Sequence, residues 1–233
     1  MVSNTKRNSR VLVETISTLG VIMSRILQAI MGLGSSDASD ALLSLGVMGV
    51  LKDVHFFVGF DKIVGLARTV AVAPMKNDNL SMKEGFLKAC TNSREDTVLV
   101  IVSENKNYSS FGGLTSFIVR SCGIKGVVVC GSFRDFREIE ENGVSVFATG
   151  VSPLIPPKGQ SVISIGEIVK YQGVTINNGD IVIGDKDGVT IIPFNLLEEV
   201  VNRTKKKRKN EEISKIELGN YFYSKVKNGK IKD

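Results

Sequence analysis

The sequence predicts an α/β fold that forms one compact domain. Apolar strands and helical segments alternate through the middle of the chain, as in strand–helix–strand units. A block of short strands separated by glycine-containing turns follows this alternation. Neither an internal repeat nor a clean linker divides the 233 residues, and 42% of them are hydrophobic, so the chain can bury one substantial core.

Helices are expected at both ends of the chain. The first 34 residues are read as an amphipathic helix, because Glu14 and Arg25 interrupt apolar residues that recur at helical spacing. A targeting segment is the alternative. A long C-terminal helix is expected to end at Gly219. The expected organisation is therefore a helical extension, one domain and a C-terminal tail, at 1–34, 35–219 and 220–233.

Local signals predict the elements between these two helices. N-cap candidates at 35–37 precede a short helix that Gly46 stops, and another helix is capped near Asp78. Beyond Glu167, the sequences "NNGD" and "DKDG" mark tight turns between short strands. Apolar runs bounded by polar residues predict strands at 59–74, 96–105, 125–131 and 144–150.

The composition excludes several kinds of chemistry. The three cysteines show no CxxC spacing, so neither a disulfide framework nor a zinc site follows, and a cytoplasmic location is expected. His55 is the only histidine, and two phenylalanines follow it, so we expect it to be packed or interfacial rather than catalytic. Histidine metal sites and Ser-His or Cys-His nucleophiles are thereby nearly excluded. No apolar run is long enough to cross a bilayer, so no membrane partner is expected.

The net charge of +6 is concentrated near the C-terminus, where six cations lie between Arg203 and Lys209. Such a run is typical of the solvated face of a helix. A patch for nucleic acid is the alternative. No aromatic residues are interleaved with these lysines and arginines, so the sequence gives no support for base stacking there.

A glycine pair and an Arg-Asp pair suggest a binding site. Gly112 and Gly113 precede a predicted helix, whose free N–H groups and positive dipole end suit a carboxylate or phosphate. Arg134 and Asp135 follow a predicted buried strand, and side chains at such strand ends commonly line clefts. Arg134 could hold a carboxylate through two hydrogen bonds, and Asp135 could hold Mg²⁺, which keeps most of its waters. A plain turn with side chains paired to their neighbours is the alternative.

The chain resembles the RraA-like family, which comprises regulators of ribonuclease E activity and class II pyruvate aldolases. The resemblance is carried by "SSDASDALLSLG", "IVGLARTV", the pair Asp78-Asn79 and "GDIVIGDKDGVTIIP". Its core is Gly113, twenty residues, Arg134-Asp135, two residues and then Glu138. The resemblance implies a three-layer swivelling β/β/α domain. It further implies trimers or pairs of trimers with clefts at subunit boundaries.

The resemblance also implies roles for individual residues. In the aldolases the pyruvyl carboxylate sits on backbone amides that correspond to Gly112, Gly113, Leu114 and Thr115. The residue matching Arg134 binds the keto acid and helps to stabilise the enolate, and the residue matching Asp135 binds Mg²⁺ or Mn²⁺. The implied reaction is retro-aldol cleavage of 4-hydroxy-4-methyl-2-oxoglutarate-type substrates, or decarboxylation of oxaloacetate, with release of pyruvate.

Two departures from the family keep a second function open. Aldolases often carry an acid directly after the first glycine of the turn, where this chain has Gly113, as the regulators tend to. The glycine-rich segment after the buried strand is replaced by "SENKNYSS". The alternative is a non-catalytic protein that binds and regulates an RNA-processing enzyme. In the aldolases a neighbouring subunit adds an acid from its C-terminal region, for which Glu211 and Glu212 are the candidates.

Overall fold

The computed structural model describes residues 30–75, 80–91, 93–94 and 96–227. The described helices are α1 (Ser35–Leu43), α2 (Met82–Cys90), α3 (Gly113–Ser121), α4 (Phe136–Glu141) and α5 (Leu197–Lys227). The strands are β1 (His55–Val58), β2 (Ile63–Pro74), β3 (Leu80–Ser81), β4 (Thr97–Ser103), β5 (Ser109–Phe111), β6 (Gly126–Phe133), β7 (Ser145–Val151), β8 (Gln160–Ile165), β9 (Val169–Tyr171), β10 (Val174–Ile176), β11 (Ile181–Asp185) and β12 (Gly188–Ile192).

One large sheet organises the domain. Its described strands run in the order β1-β7-β6-β4-β2-β11-β12, and β2, β4, β6 and β7 are parallel to their neighbours in that group. Strand β8 is antiparallel to the second half of β2, while β5 adds to the end of β6. Strands β9 and β10 form a separate two-stranded sheet. The carboxyl ends of β4 and β6 therefore meet at one edge of the sheet, where clefts form in α/β folds.

Both faces of the large sheet are covered by apolar side chains. On one face, Phe86 of α2, Val119 of α3 and Ile139 of α4 belong to a single buried cluster with the alternate residues of β4 and β6. On the other face, Val128 of β6 packs in a second cluster that includes Ile176 of β10. Each such fully buried side chain contributes about 1.5–3 kcal/mol. The chain thus forms the expected α/β domain, with a helical layer, the large sheet and the small sheet.

The C-terminal helix packs against α1 near the edge of the sheet. Leu197 and Val200 are buried there in a third apolar cluster. Further along α5, Arg208 pairs with Asp37, and Lys207 pairs with Asp40. The basic run therefore lies on a helix, as expected, and part of it holds α1 in place.

Several boundaries differ from the sequence prediction. Helix α5 continues past Gly219 to Lys227, because one glycine costs only about 1 kcal/mol in a helix interior. Helix α1 begins at Ser35, with Gly34 as its N-cap, because the distant Asp185 carboxylate accepts hydrogen bonds from the Ser35 N–H and hydroxyl. The division into extension, domain and tail stays a prediction.

Other expectations about packing are corrected or fall outside the described residues. His55 is exposed on β1, so it is not packed within the chain, and an interfacial position stays a prediction. The "NNGD" turn does not close a hairpin, because β10 and β11 lie in different sheets, whereas "DKDG" does join the paired strands β11 and β12. The predicted N-terminal helix, apart from its last residues, and the predicted cap near Asp78 lie outside the described residues. Within the described residues, no helix is both long and apolar enough to span a membrane.

Candidate active site

The glycine pair and the Arg-Asp pair lie side by side because two neighbouring strands end together. Phe111, the last residue of β5, is the register partner of Phe133, the last residue of β6. The N–H of Arg134 donates to the carbonyl oxygen of Phe111 at 3.0 Å. Both phenylalanines are buried, so the apolar core fixes the point at which each chain segment leaves the sheet.

Asp135 joins the two segments. Its Oδ2 accepts a hydrogen bond of 3.0 Å from the N–H of Gly113, and the same oxygen lies 3.5 Å from Nε of Arg134. The backbone of Asp135 is left-handed, with φ of 65°, which is uncommon for a residue other than glycine and clusters at functional sites. The side chains of Asp135 and Arg134 are 36% and 40% exposed, so both remain accessible to a ligand.

The absence of side chains at positions 112 and 113 makes room for two carboxylates. A Cβ on Gly112 would lie 2.6 Å from Oδ2 of Asp135, and a Cβ on Gly113 would lie 1.8 Å from Oε2 of Glu138. The N–H of Gly112 donates to Oγ1 of Thr115 at 2.9 Å. Two of the four predicted amide donors therefore already have an acceptor, Gly112 within the turn and Gly113 at Asp135.

The remaining amide donors belong to Leu114 and Thr115, in the first turn of α3. Among the described residues, neither of these N–H groups is bound to an acceptor. The first N–H groups of a helix carry a partial positive charge and point away from the helix, which makes them donors for an anion. Of the four amides predicted to bind a carboxylate, those of Leu114 and Thr115 are thus the two without an acceptor in the described part of the chain.

All the predicted site residues line one open cavity of about 370 Å³. They are Gly112, Gly113, Leu114, Thr115, Arg134 and Asp135. The other walls are the start of α2 at 81–83, strand β5, Ile155 and Gly159 before β8, and Gln160 at the start of β8. The cavity therefore lies where the starts of α2 and α3 approach each other.

The sequence prediction missed the residues that α2 and β8 contribute. The start of α2 carries a capping box, in which the hydroxyl of Ser81 donates to Glu84 at 2.7 Å and accepts from the N–H of Glu84. The hydroxyl and the N–H of Ser81 both donate to the carboxylate of Glu84. These hydrogen bonds, above all the one from the hydroxyl, lower the pKa of Glu84. The Ser-x-x-Glu pattern was a readable signal for this helix start. No comparable local signal marks Gln160.

A divalent cation fits one side of the cavity. Asp135 is the only acidic residue that lines it among the described residues, and no group of three or more His, Cys, Asp or Glu side chains occurs there. This donor set does not fit zinc, which needs three or four protein ligands. It fits Mg²⁺, which binds through one or two carboxylates and completes its shell with water and ligand oxygens. Asp135 is the residue that would hold it.

Neither Glu211 nor Glu212 lines the cavity of its own chain. Glu211 pairs with Lys207 one turn away on α5. A contribution of either residue to a neighbouring subunit stays a prediction.

The structure is thus an α/β domain in which a helix start, a guanidinium and a carboxylate line one cavity at the strand ends. The family model RraA-like, described as Aldolase/RraA, matches residues 35–191. The chain belongs to this family.

Two curated relatives and two solved structures show how far the similarity extends. A protein of Halalkalibacterium halodurans named "Putative 4-hydroxy-4-methyl-2-oxoglutarate aldolase" is 31% identical over 177 residues, which cover 76% of this chain and 79% of the relative. Protein DlpA of Legionella pneumophila is 29% identical over 196 residues, which cover 82% of this chain and 31% of DlpA.

The solved structures support the fold. An uncharacterized protein from Pseudomonas syringae has a TM-score of 0.73 at 24% identity and covers 84% of this chain and 90% of its own. Streptomyces coelicolor RraAS2, from the RNase ES inhibitor RraA protein family, has a TM-score of 0.71 at 23% identity, with coverage of 82% and 96%. At these identities the similarity establishes the fold alone.

Proposed function

We propose that the protein is a divalent-metal-dependent lyase that cleaves a 2-keto acid and releases pyruvate. The observation that carries the proposal is the junction at Asp135, whose carboxylate binds the start of α3 and faces Arg134 in the same cavity. The family membership and the aldolase name of the H. halodurans relative support this class of reaction. The substrates proposed are 4-hydroxy-4-methyl-2-oxoglutarate-type acids and oxaloacetate.

The ligand's carboxylate binds at the start of α3. The N–H groups of Leu114 and Thr115 donate to its oxygens, and the dipole of α3 favours its negative charge. The guanidinium of Arg134, at the end of the neighbouring strand β6, donates to the keto-acid group in the fork geometry that only arginine offers. These contacts fix the 2-keto group beside Asp135.

Bond cleavage creates negative charge next to these groups. When the C3–C4 bond breaks, its electron pair passes into the enolate of pyruvate, and C4 leaves as a carbonyl compound or as carbon dioxide. In the retro-aldol case the C4 hydroxyl loses its proton to solvent water. Arg134 stabilises the charge that develops on the keto oxygen, and protonation of C3 then completes pyruvate.

Asp135 would hold Mg²⁺ or Mn²⁺ on the keto-oxygen side of the cavity. When bound, the cation supplies Lewis-acid stabilisation of the developing negative charge. The carboxylate of Asp135 keeps its orientation through the hydrogen bond from Gly113.

The decisive assay measures pyruvate release from oxaloacetate and from 4-hydroxy-4-methyl-2-oxoglutarate, with Mg²⁺ and with a chelator. Arg134→Lys keeps the charge but loses the fork, so we expect pyruvate release to fall by roughly 100-fold. Arg137→Lys is the matched control, because Arg137 is exposed, pairs with Glu141 in the following turn and does not line the cavity. Reactions with Mg²⁺ but no protein correct for spontaneous decarboxylation. Absence of protein-dependent pyruvate release from both substrates would refute the lyase.

A second candidate function is regulation of an RNA-processing enzyme by binding. It is favoured by the position of Glu138, which leaves no space for an acidic side chain at position 113 in the observed arrangement. A regulator would bind a ribonuclease in a pull-down equally well with a chelator and with Arg134→Lys. A lyase without regulatory function would give no such complex.

The proposal extends to a homotrimer or a pair of trimers in the cytoplasm. Large apolar side chains next to the cavity are exposed, namely Leu114, Phe117, Phe136 and Leu154. Burying them against another copy would remove apolar surface from water. Light scattering should therefore give at least three times the monomer mass of 25.3 kDa.

A further inference from the structure

Side chains from two helices bind the carbonyl oxygen of Gly113. Oγ of Ser116, one turn further along α3, donates to this oxygen at 2.7 Å. Nδ2 of Asn142, the residue after α4, donates to the same oxygen at 3.3 Å and to Oγ of Ser116 at 2.8 Å. A carbonyl oxygen only accepts hydrogen bonds, so the nitrogen of the Asn142 amide is the atom that faces it. Since Ser116 is fully buried, the three groups form a shielded network between α3 and α4.

The carbonyl of Gly113 and the N–H of Leu114 belong to the same peptide unit. A peptide unit is planar, and in the trans form its N–H points opposite to its carbonyl. Any group that fixes the carbonyl of Gly113 therefore also fixes the direction of the Leu114 N–H, which has no acceptor among the described residues. Hydrogen bonds accepted by the carbonyl further polarise the unit, so the N–H becomes a stronger donor.

The two ends of α4 thus bind consecutive peptide units of the glycine turn. Asp135, the N-cap of α4, accepts from the N–H of Gly113 and so fixes the unit between Gly112 and Gly113. Asn142, the C-cap of α4, donates to the carbonyl of Gly113 and so fixes the unit between Gly113 and Leu114. One short helix therefore orients the amides on which the proposed site depends.

The end of α4 holds Asn142 in a defined place. The helix ends in a Schellman motif, in which the N–H of Gly143 donates to the carbonyl of Glu140 and the N–H of Val144 donates to the carbonyl of Ile139. Gly143 has a φ of 66°, the left-handed conformation that this motif requires. Ile139 and Val144 are fully buried in the same apolar cluster, which anchors the backbone on both sides of Asn142.

We propose that Asn142, together with Ser116, is a positioning residue that directs and polarises the N–H of Leu114 toward the carboxylate of the bound 2-keto acid. Neither residue lines the cavity, so both act through the carbonyl of Gly113 rather than on the ligand. The inference rests on the proposed function, because it takes the start of α3 as the site of that carboxylate. A contact that only joins α3 to α4 is the alternative that the test must separate.

The first measurement is pyruvate binding, by isothermal titration in buffer with Mg²⁺. Asn142→Leu keeps a side chain of similar size but removes the amide, so the N–H of Leu114 is less well directed and a weaker donor. We expect pyruvate to bind about three- to tenfold more weakly, since one supporting hydrogen bond is lost. The thermal midpoint should stay within a few degrees of the wild type. Ser116→Ala should weaken binding in the same direction, and it decides the question if Asn142→Leu does not fold.

The second measurement reports on the peptide unit itself. In protein labelled with ¹³C at the glycine carbonyls and ¹⁵N at the leucines, a carbonyl–amide correlation spectrum shows only the Gly-Leu pairs, which occur at 32–33, 65–66 and 113–114. Gly113→Ala removes one signal and so assigns it. In Asn142→Leu the Gly113 carbonyl signal should move upfield, as expected for a lost hydrogen bond, while the other two stay in place. A residue that only joined the helices would lower the thermal midpoint without moving this signal.

Asn177→Leu is the matched control. Asn177 is also half-buried, and its Nδ2 also donates to a side-chain oxygen, Oδ2 of Asp180, at 3.1 Å. It does not line the cavity. The variant should therefore leave both pyruvate binding and the Gly113 signal unchanged.

The outcomes distinguish the positioning role from the reaction. A wild type that does not bind pyruvate, pyruvate affinity that survives both Asn142→Leu and Ser116→Ala, or weaker binding with an unmoved Gly113 signal overturns the role, even if pyruvate is released. Weaker binding with a moved signal, in a protein that releases no pyruvate from either substrate, supports the role and refutes the proposed lyase.

Discussion

The carboxylate of Glu138 occupies the place that a side chain on Gly113 would need. A Cβ built on Gly113 would lie 1.8 Å from Oε2 of Glu138 and 3.0 Å from its Cβ. Aldolases of the family often carry an acidic residue at the position that corresponds to Gly113. In this chain position 113 is a glycine, and its lack of a side chain is what allows the carboxylate of Glu138, in the first turn of α4, to approach.

This relationship predicts that Gly113→Ala has opposite effects in two backgrounds. In the wild type, the new methyl group displaces Glu138, and we expect destabilisation of up to about 1 kcal/mol, limited because the Glu138 side chain is exposed and can move. With Glu138→Gly already present, which removes the Cβ at 3.0 Å as well as the carboxylate, the same change should stabilise by about 0.5–1 kcal/mol, because alanine is the better helix former. Urea unfolding of the four proteins measures the coupling. Equal effects in both backgrounds would show that the two positions do not compete.

The charge of Asp135 should matter for metal binding, whereas the hydrogen bond that it accepts from Gly113 should matter for stability. Asparagine tolerates the left-handed backbone and can still accept the hydrogen bond from Gly113, but it carries no charge. We expect Asp135→Asn to keep the thermal midpoint within a few degrees, while Mg²⁺-dependent pyruvate release falls at least about 100-fold. Asp53→Asn is the control, since Asp53 has a similar φ of 61° and does not line the cavity. Retained activity in Asp135→Asn would argue against a metal at this carboxylate.

The sequence predicted the parts of the site that depend on local pattern. Arg134 and Asp135 follow a run of buried residues, and glycines precede a helix, so their places at a strand end and a helix start could be inferred. The pairing of Phe111 with Phe133 brings the glycine pair next to the Arg-Asp pair. The family signature contains both pairs, but the sequence did not predict this strand pairing.

The part of the cavity that the sequence did not predict depends on long-range strand pairing. Gln160 reaches the site because β8 pairs with the second half of β2 and with β3, which no local pattern in the sequence specifies. Of the two positions expected for His55, packing within the chain is wrong and an interfacial position stays a prediction, since the burial of an edge strand depends on what covers it. The extension of α5 past Gly219 shows that one weak position does not end a helix whose neighbours favour it.

The contact between α1 and α5 should weaken in acid. Burial raises the pKa of Asp37, but hydrogen bonds from Arg208 and the Gly34 N–H and the charges of Arg208 and Lys207 outweigh it, so the pKa lies below its usual value of 3.8. A carboxyl with a depressed pKa stabilises the fold above its unfolded pKa and loses this effect as the pH falls through the folded value. Since Arg208 is 46% exposed, the contribution is at most about 1 kcal/mol.

The expected result is that Asp37→Asn lowers the free energy of unfolding at neutral pH and that the difference from the wild type shrinks below pH 3.8. Urea unfolding at several pH values measures it. Asp61→Asn, which removes an exposed pair with Lys186, should change stability by only a few tenths of a kcal/mol. A difference that stays constant into acid would show that charge is not what Asp37 contributes.

Two helical glycines should respond to alanine with opposite signs. A Cβ on Gly85 would lie 2.3 Å from Val162 of β8, so Gly85→Ala must push α2 away from the sheet, and we expect a loss of about 1–3 kcal/mol. Gly219 in α5 has no atom within 4 Å of its would-be Cβ, so Gly219→Ala should stabilise by up to about 1 kcal/mol. Urea unfolding followed by circular dichroism measures both. Because the start of α2 forms one wall of the cavity, Gly85→Ala should also reduce pyruvate release, whereas Gly219→Ala should not. A Gly85→Ala variant with unchanged free energy of unfolding would show that α2 and β8 can accommodate a methyl group between them, contrary to this prediction.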